Sequence, residues 1–323
     1  MKIEYAIIIK NKTRLESLIE RFNTKAQAKF YIERLGGDFE DYVSEHEMFQ
    51  NSLVLLQTQL SKVIKHKTVE RNYLPSFIFS EKNLIVVIGQ DGLVANTAKY
   101  SQNCPIVAVN PDKNRYDGIL LPFDTTNFIE GVENVITNQF QSKTMRFAEA
   151  KLNDGQRLLA FNDLFIGASS HISARYKIAY NEKTEEQSSS GLIVSTQAGS
   201  TGWLSSVFNM AYGVTSMFEK NLKLKRPKLK DNELLFAVRE PFQSIRTQIG
   251  ITAGIIKNQS CLTIESLMPT SGVIFSDGIE SDFLKFNSGS IATIGVAKET
   301  AVIVVKNKKS ITNAKILKNK NLH

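Results

Sequence analysis

A chain of 323 residues, 42% hydrophobic and 22% charged, is long enough for two domains with separate cores and has the composition of an ordinary soluble protein. No apolar run approaches the roughly 20 residues that span a bilayer, and Cys104 and Cys261 make neither a disulfide framework nor a metal motif. The net charge of +8 gathers in residues 220–230 and in the lysines from Lys306 to Lys320. There it reads as a linker and a solvated tail, and with no nucleic-acid module beside it nucleic acid is not an expected partner.

The first residues lack a cleavable signal or a transit pattern, so a reducing, cytoplasmic setting is expected. They read instead as a strand at 5–9, followed by a helix at 13–22. Residues 46–67 form a long amphipathic stretch with Leu53, Leu56, Leu60 and Val63 at helical intervals. A continuous apolar run at 84–88 predicts a strand buried on both faces. Helical character returns at 94–100, and 105–109 is another buried strand. This order predicts an α/β domain with a parallel sheet over residues 1–125, whose ligands would sit at the carboxyl ends of its strands. Gly89–Gly92 and Asn110 fall at two such ends. A connecting helix is expected at 125–140. Beyond it come short runs at 144–151, 157–165, 174–180, 191–195, 234–238, 261–266, 272–275, 290–296 and 301–305. They predict an antiparallel β-rich domain over 126–305, with a helix at 201–217 and a basic tail at 306–323.

Four segments are candidates for chemistry. In Leu84-Ile-Val-Val-Ile-Gly-Gln-Asp-Gly92 a strand ends in Gly-X-Asp-Gly before a helix. Glycine lets the backbone approach a phosphate and the helix N-terminus favours an anion, although a tight turn with an Asx cap has the same spelling. Asp91 is placed to accept a hydroxyl proton or to hold a ribose. In Ser190-Gly-Leu-Ile-Val-Ser-Thr-Gln-Ala-Gly-Ser-Thr-Gly-Trp203 a buried strand opens into a turn of hydroxyls and glycines. Trp203, the one tryptophan, either stacks on a base or fills a core. Phe161-Asn-Asp-Leu-Phe165 sets Asn162 and Asp163 inside an apolar strand, where they need a ligand or an internal network. Ile274-Phe-Ser-Asp-Gly278 reads as a hairpin turn or as a carboxylate delivered to a cleft. The four histidines form no spaced metal site, and no Ser/His/Asp set points to hydrolysis.

These segments resemble the NAD kinases. The family's Gly-Gly-Asp-Gly turn corresponds to Gly89-Gln90-Asp91-Gly92, its Asn-Glu pair to Asn162-Asp163, and its Gly-Leu-Ile-Val-Ser-Thr-x-x-Gly-Ser-Thr segment to residues 191–201. Residues 109–118, 173–176 and 238–241 resemble the animal mitochondrial type in particular. The resemblance spans about residues 3 to 305. It implies an N-terminal α/β domain, a C-terminal β-rich domain, a site between them and a homo-oligomer. It also implies transfer of the ATP γ-phosphoryl to the adenosine-ribose 2′-hydroxyl of NAD, with Mg²⁺ carried on the ATP. Asp91 then matches the general base, and Gly89, Gly92 and Asn110, with the neighbouring Gln90 and Leu93, the ATP side. Asn162, Asp163, Thr196, Ser200, Thr201, Gly202 and Trp203 match the NAD side. Arg115, Arg175 and Arg239 are candidates either for phosphate neutralisation or for structural ion pairs. Four positions depart from the pattern: Gln90 for glycine, Leu93 for threonine, Asp163 for glutamate and Ser190 for aspartate. The departures leave open a nucleotide-binding relative without kinase activity, and the shared turn leaves open a lipid or sugar kinase.

Overall fold

A computed structural model describes residues 2–219, 226–257 and 260–307, without the side chains of Glu280 and Ser281. The basic tail beyond residue 307 and the lysines of 220–225 lie outside the described residues. The chain divides into two compact units, Met1–Thr144 with Ala301–His323, and Met145–Thr300.

In the first unit β1 (Tyr5–Lys10) buries Ala6 through Ile9 in succession, as a strand covered on both faces requires. Thr13 and Glu16 then form a reciprocal capping box that starts α1 (Arg14–Phe22), and Asn23 ends it in the left-handed conformation. Next come α2 (Lys25–Arg34), α3 (Phe39–Ser61), β2 (His66–Glu70), β3 (Asn83–Ile88), α4 (Asp91–Ala98), β4 (Pro105–Asn110), β5 (Phe123–Asp124) and α5 (Phe128–Ile136). The strands pair in parallel in the order β2–β1–β3–β4, with β5 also parallel on β4. The helix expected at 46–67 starts earlier, at Phe39, because Asp38 caps it there, and its expected last residues already belong to β2. The segment expected as a connector, 125–140, holds α5. Its Phe128, Val132 and Val135 pack with Leu84, Val107 and Val109 in the core of this unit.

β6 (Gln141–Leu152) leads into the second unit. There β7 (Arg157–Ala160), β8 (Asp163–Ala168), β9 (Ala174–Tyr180), β10 (Lys183–Ser189), β11 (Leu192–Ser195), α6 (Trp203–Ser216), β12 (Leu234–Val238), β13 (Ala253–Ile256), β14 (Leu262–Ser266), β15 (Gly272–Ser276), β16 (Ile279–Lys285) and β17 (Ile291–Val305) follow. One antiparallel sheet has the order β13–β12–β11–β8–β15–β16. In a second, β10–β9–β14–β17 pair antiparallel. Leu164, Ile166, Val194 and Phe236 of the first sheet and Ile178, Leu262, Ile264 and Ile294 of the second share one apolar core. The end of β17 returns to the first unit, where Val302 and Ile303 pair in parallel with Pro105 and Ile106 of β4. The single run expected at 157–165 is two strands broken at Phe161–Asn162, and the runs at 290–296 and 301–305 are one strand. No helix among the described residues is long and apolar enough to cross a membrane.

Candidate functional site

In the first unit the Gly-X-Asp-Gly turn closes β3 and opens α4. Gly89 has φ +155 and donates its N–H to the Val109 carbonyl at 3.3 Å, so the turn is tied to the neighbouring strand end. Gln90 takes the N-cap position, is exposed, and makes no side-chain cap bond; its side chain meets the Tyr116 hydroxyl of the loop after β4 instead. Asp91 is half-buried, and its Oδ1 accepts the Leu120 N–H at 2.6 Å. Gly92 is exposed, and a Cβ built there meets nothing within 4 Å. Leu93 points inward and is 5% exposed, so the position where a threonine was expected carries a core side chain.

Asn110, at the end of β4, is also buried. Its Nδ2 donates to the Tyr116 carbonyl at 3.0 Å and its Oδ1 accepts the Asp112 N–H at 2.9 Å. Its amide therefore organises the loop that follows β4. Gly118 in that loop has φ +69, and a Cβ there stands 2.8 Å from Asn110 Nδ2, so only glycine fits without displacement. Asp91 and Asn110 thus hold one loop from two strand ends. Arg115 of this loop pairs with Asp41 at 2.6 Å. The Arg115 guanidinium, and after it that of Arg14, holds the Asp41 carboxyl down at about 2. Arg115 is a structural ion-pair partner.

The second unit joins two segments some 35 residues apart in sequence. β8 and β11 are antiparallel neighbours with Asp163 opposite Ser195. The Thr196 hydroxyl donates to the Phe161 carbonyl at 2.6 Å and accepts the Ala198 N–H at 3.1 Å, while its own N–H reaches the Asn162 carbonyl at 2.9 Å. Thr196 therefore welds the strand break to the hydroxyl-rich turn. Ser200 donates to the Gln197 carbonyl at 2.7 Å; Thr201 and Gly202 are exposed. Gly199 is required by packing, since a Cβ there falls 2.4 Å from the Asn162 carbonyl oxygen. Gly199→Ala is accordingly expected to destabilise the protein by about 1–3 kcal/mol, read as a lowered midpoint in thermal unfolding.

Asp163 is 9% exposed, and its Oδ1 has no hydrogen-bond partner. Burial, above all, pushes its carboxyl up to about 7; a bond from the Ser195 hydroxyl pulls it down, and the charge of Asp277 adds to the rise. A buried carboxylate oxygen left without a partner is the kind of group that a ligand satisfies.

Asp163 and Phe165 are two residues apart on β8 and share the face opposite the core residues Leu164 and Ile166. On that face the Phe165 ring stacks on Trp203 (centroids 5.7 Å apart, 9° between planes) and on Phe275 (4.8 Å, 29°). Gly167 and Gly191 make room for it: a Cβ at either stands 2.7–2.8 Å from the Phe165 ring. The Arg239 guanidinium lies 5.5 Å from the Trp203 ring centroid. Phe165, Trp203, Phe275 and Arg239, with Glu240, Ser190 and the serine-rich loop at 169–173, line a cavity of about 700 Å³; Asp163 is not among its lining residues. Apolar rings and several hydroxyls suit a ligand with a flat ring, and the Arg239 guanidinium, itself paired with Glu240 at 3.8 Å, is the cationic group of the lining. Of the residues singled out in the sequence, Trp203, Ser190 and Arg239 reach this cavity, whereas Arg175 pairs with Glu186 at 3.1 Å. The parts missed in sequence, Phe165 and Phe275, were signalled by aromatics at positions that face each other across β8 and β15.

No protein-family model matches the sequence, and no curated protein does. Solved structures do. The crystal structure of yeast NADH kinase complexed with NADH is similar over 100% of this chain and 90% of that one, with a TM-score of 0.56 at 15% identity. That of an NAD kinase from Archaeoglobus fulgidus in complex with ATP is similar over 96% of each chain, with a TM-score of 0.55 at 16% identity. An N-terminal α/β unit with a mostly parallel sheet, followed by an antiparallel β-rich unit, is the two-domain fold of the NAD kinases, and this chain has that fold.

Proposed function

We propose that the protein is an ATP-dependent NAD kinase, which transfers the γ-phosphoryl of ATP to the adenosine-ribose 2′-hydroxyl of NAD and yields NADP and ADP. The carrying observation is the Gly89–Gly92 turn at the carboxyl end of β3, with the start of α4 behind it, the exposed Gly92 backbone and the Asp91 carboxylate within it. Two solved structures of the same fold hold NADH and ATP respectively, which supports both nucleotides as substrates. In this reading the exposed Gly92 and the α4 N-terminus receive the donor phosphates. Asp91 takes the proton of the 2′-hydroxyl as that oxygen attacks the γ-phosphorus and ADP leaves. Asn162, Asp163 and the turn at 196–202 hold the dinucleotide, Trp203 offers a ring to stack on, and Arg239 offsets phosphate charge. Mg²⁺ enters as part of the MgATP substrate, carried on its phosphate oxygens. A cytoplasmic homo-oligomer supplying NADP completes the reading.

Incubation with MgATP and NAD, read as NADP formed, tests it. Folded protein that binds both nucleotides and forms no NADP overturns it. Gly92 offers a sharper check. Alanine there leaves folding unchanged or slightly firmer, because it removes up to about 1 kcal/mol of helix penalty and meets no neighbour. If phosphates approach this backbone, Gly92→Ala lowers kcat/KM for ATP by about tenfold or more with KM for NAD held, measured by steady-state kinetics.

A further inference from the structure

The hairpin between β15 and β16 turns at Asp277-Gly278, with Ser276 paired to Ile279 and both turn residues at positive φ (55° and 70°). This is the geometry that Asn-Gly and Asp-Gly adopt in two-residue hairpins, so the turn alone has no use for a charge. The carboxylate nevertheless has a specific task. Its Oδ1 accepts the N–H groups of Asn162 at 2.6 Å and Asp163 at 3.4 Å, and its Oδ2 accepts that of Phe161 at 3.1 Å. The Asp277 N–H in turn donates to the Asp163 carbonyl at 2.9 Å. These three donors lie where β7 stops and β8 begins, so the strand ladder leaves them for another acceptor.

We propose that Asp277 is a positioning residue: its carboxylate gathers the three backbone N–H groups of the Phe161–Asp163 break and thereby fixes the directions in which Asn162 and Asp163 present their side chains to the ligand. This rests on the assignment of Asn162 and Asp163 to NAD. Thr196 holds the carbonyls of Phe161 and Asn162, and the Asp277 carboxylate holds the three N–H groups, so without that acceptor the N–H side of the break is free to rotate. Such rotation re-aims the Asn162 and Asp163 side chains.

Asparagine separates the two roles of Asp277. It suits the hairpin turn at least as well, yet it places an NH₂ against one of the donors and removes the charge that strengthens all three bonds. In full-length protein, Asp277→Asn and Asp277→Ser are compared with wild type by calorimetric titration with NAD and by amide hydrogen exchange. The proposal expects faster exchange at Phe161, Asn162 and Asp163 with the rest of the second unit unchanged. It also expects NAD affinity to fall about tenfold in both variants, while affinity for ATP stays within about twofold. Affinity for NAD equal to wild type, or unchanged exchange at the three amides, overturns it. Neither readout needs turnover, so a failure of the kinase reading shows separately, as the absence of NADP from a protein that still binds NAD.

Discussion

Asp91→Asn is expected to lower kcat by about 10²- to 10⁴-fold, the usual worth of a general base, while affinity for NAD stays within a few-fold. Asparagine keeps the oxygen that accepts the Leu120 N–H, so the loop anchored at 2.6 Å remains held and the variant remains folded. What it loses is the ability to take a proton. Rapid-mix or steady-state turnover with MgATP, set beside a titration with NAD, separates the two quantities. A matched loss of binding and rate assigns Asp91 to ribose recognition instead. Asp91→Ala removes the anchor as well, and is expected to show a lower unfolding midpoint in addition to the lost rate.

Asp163→Asn is expected to make the protein more stable at alkaline pH. The folded carboxyl sits at about 7, driven chiefly by burial, against 3.8 as its ordinary value. Between those values the native state holds a proton that the unfolded chain has released. The associated stability is fully present below about pH 4 and is lost as pH rises to about 7. Three units correspond to a change on the order of 4 kcal/mol. Asparagine is neutral throughout, so urea unfolding of Asp163→Asn lacks this slope and exceeds wild type most at pH 8. A wild-type slope of zero between pH 4 and 7 contradicts the expectation. The same substitution is expected to weaken NAD binding, because the oxygen without an internal partner is the one offered to the ligand. Gain in stability with loss of affinity marks a residue placed for function rather than for the fold.

Elements with strong apolar signatures were legible in the sequence. β3 and β4 are apolar runs that end in polar turns, and both became central strands of the parallel sheet with those turns at their carboxyl ends. β10 was not legible, since Lys183–Ser189 is almost wholly polar; it is an edge strand and has little to bury. α2 went unseen for a similar reason, with Ala28 its one buried residue. The break between β7 and β8 was hidden because Phe161 and Leu164 continue the apolar pattern across it. The backbone groups at the break are bonded to the Asp277 carboxylate, 114 residues or more away in sequence, and to Thr196. Of the candidate site, Asp91 was legible as a polar group at the end of an apolar strand, and Asn162 and Asp163 as polar groups set inside an apolar run. Asn110 was legible as a strand-end amide, but both its ends serve the following loop, which spacing does not reveal. The ring stack of Phe165, Trp203 and Phe275 depends on cross-strand register, and so on the fold.

The central claim is that one phosphoryl group moves from ATP to a single hydroxyl of NAD. Phosphorus NMR of the product made from MgATP and NAD tests this most directly. The account predicts a new monoester resonance on the 2′ position of the adenosine ribose, appearing in step with ADP. A phosphate on the 3′ position or on the nicotinamide ribose, or ADP released with the dinucleotide unchanged, contradicts it.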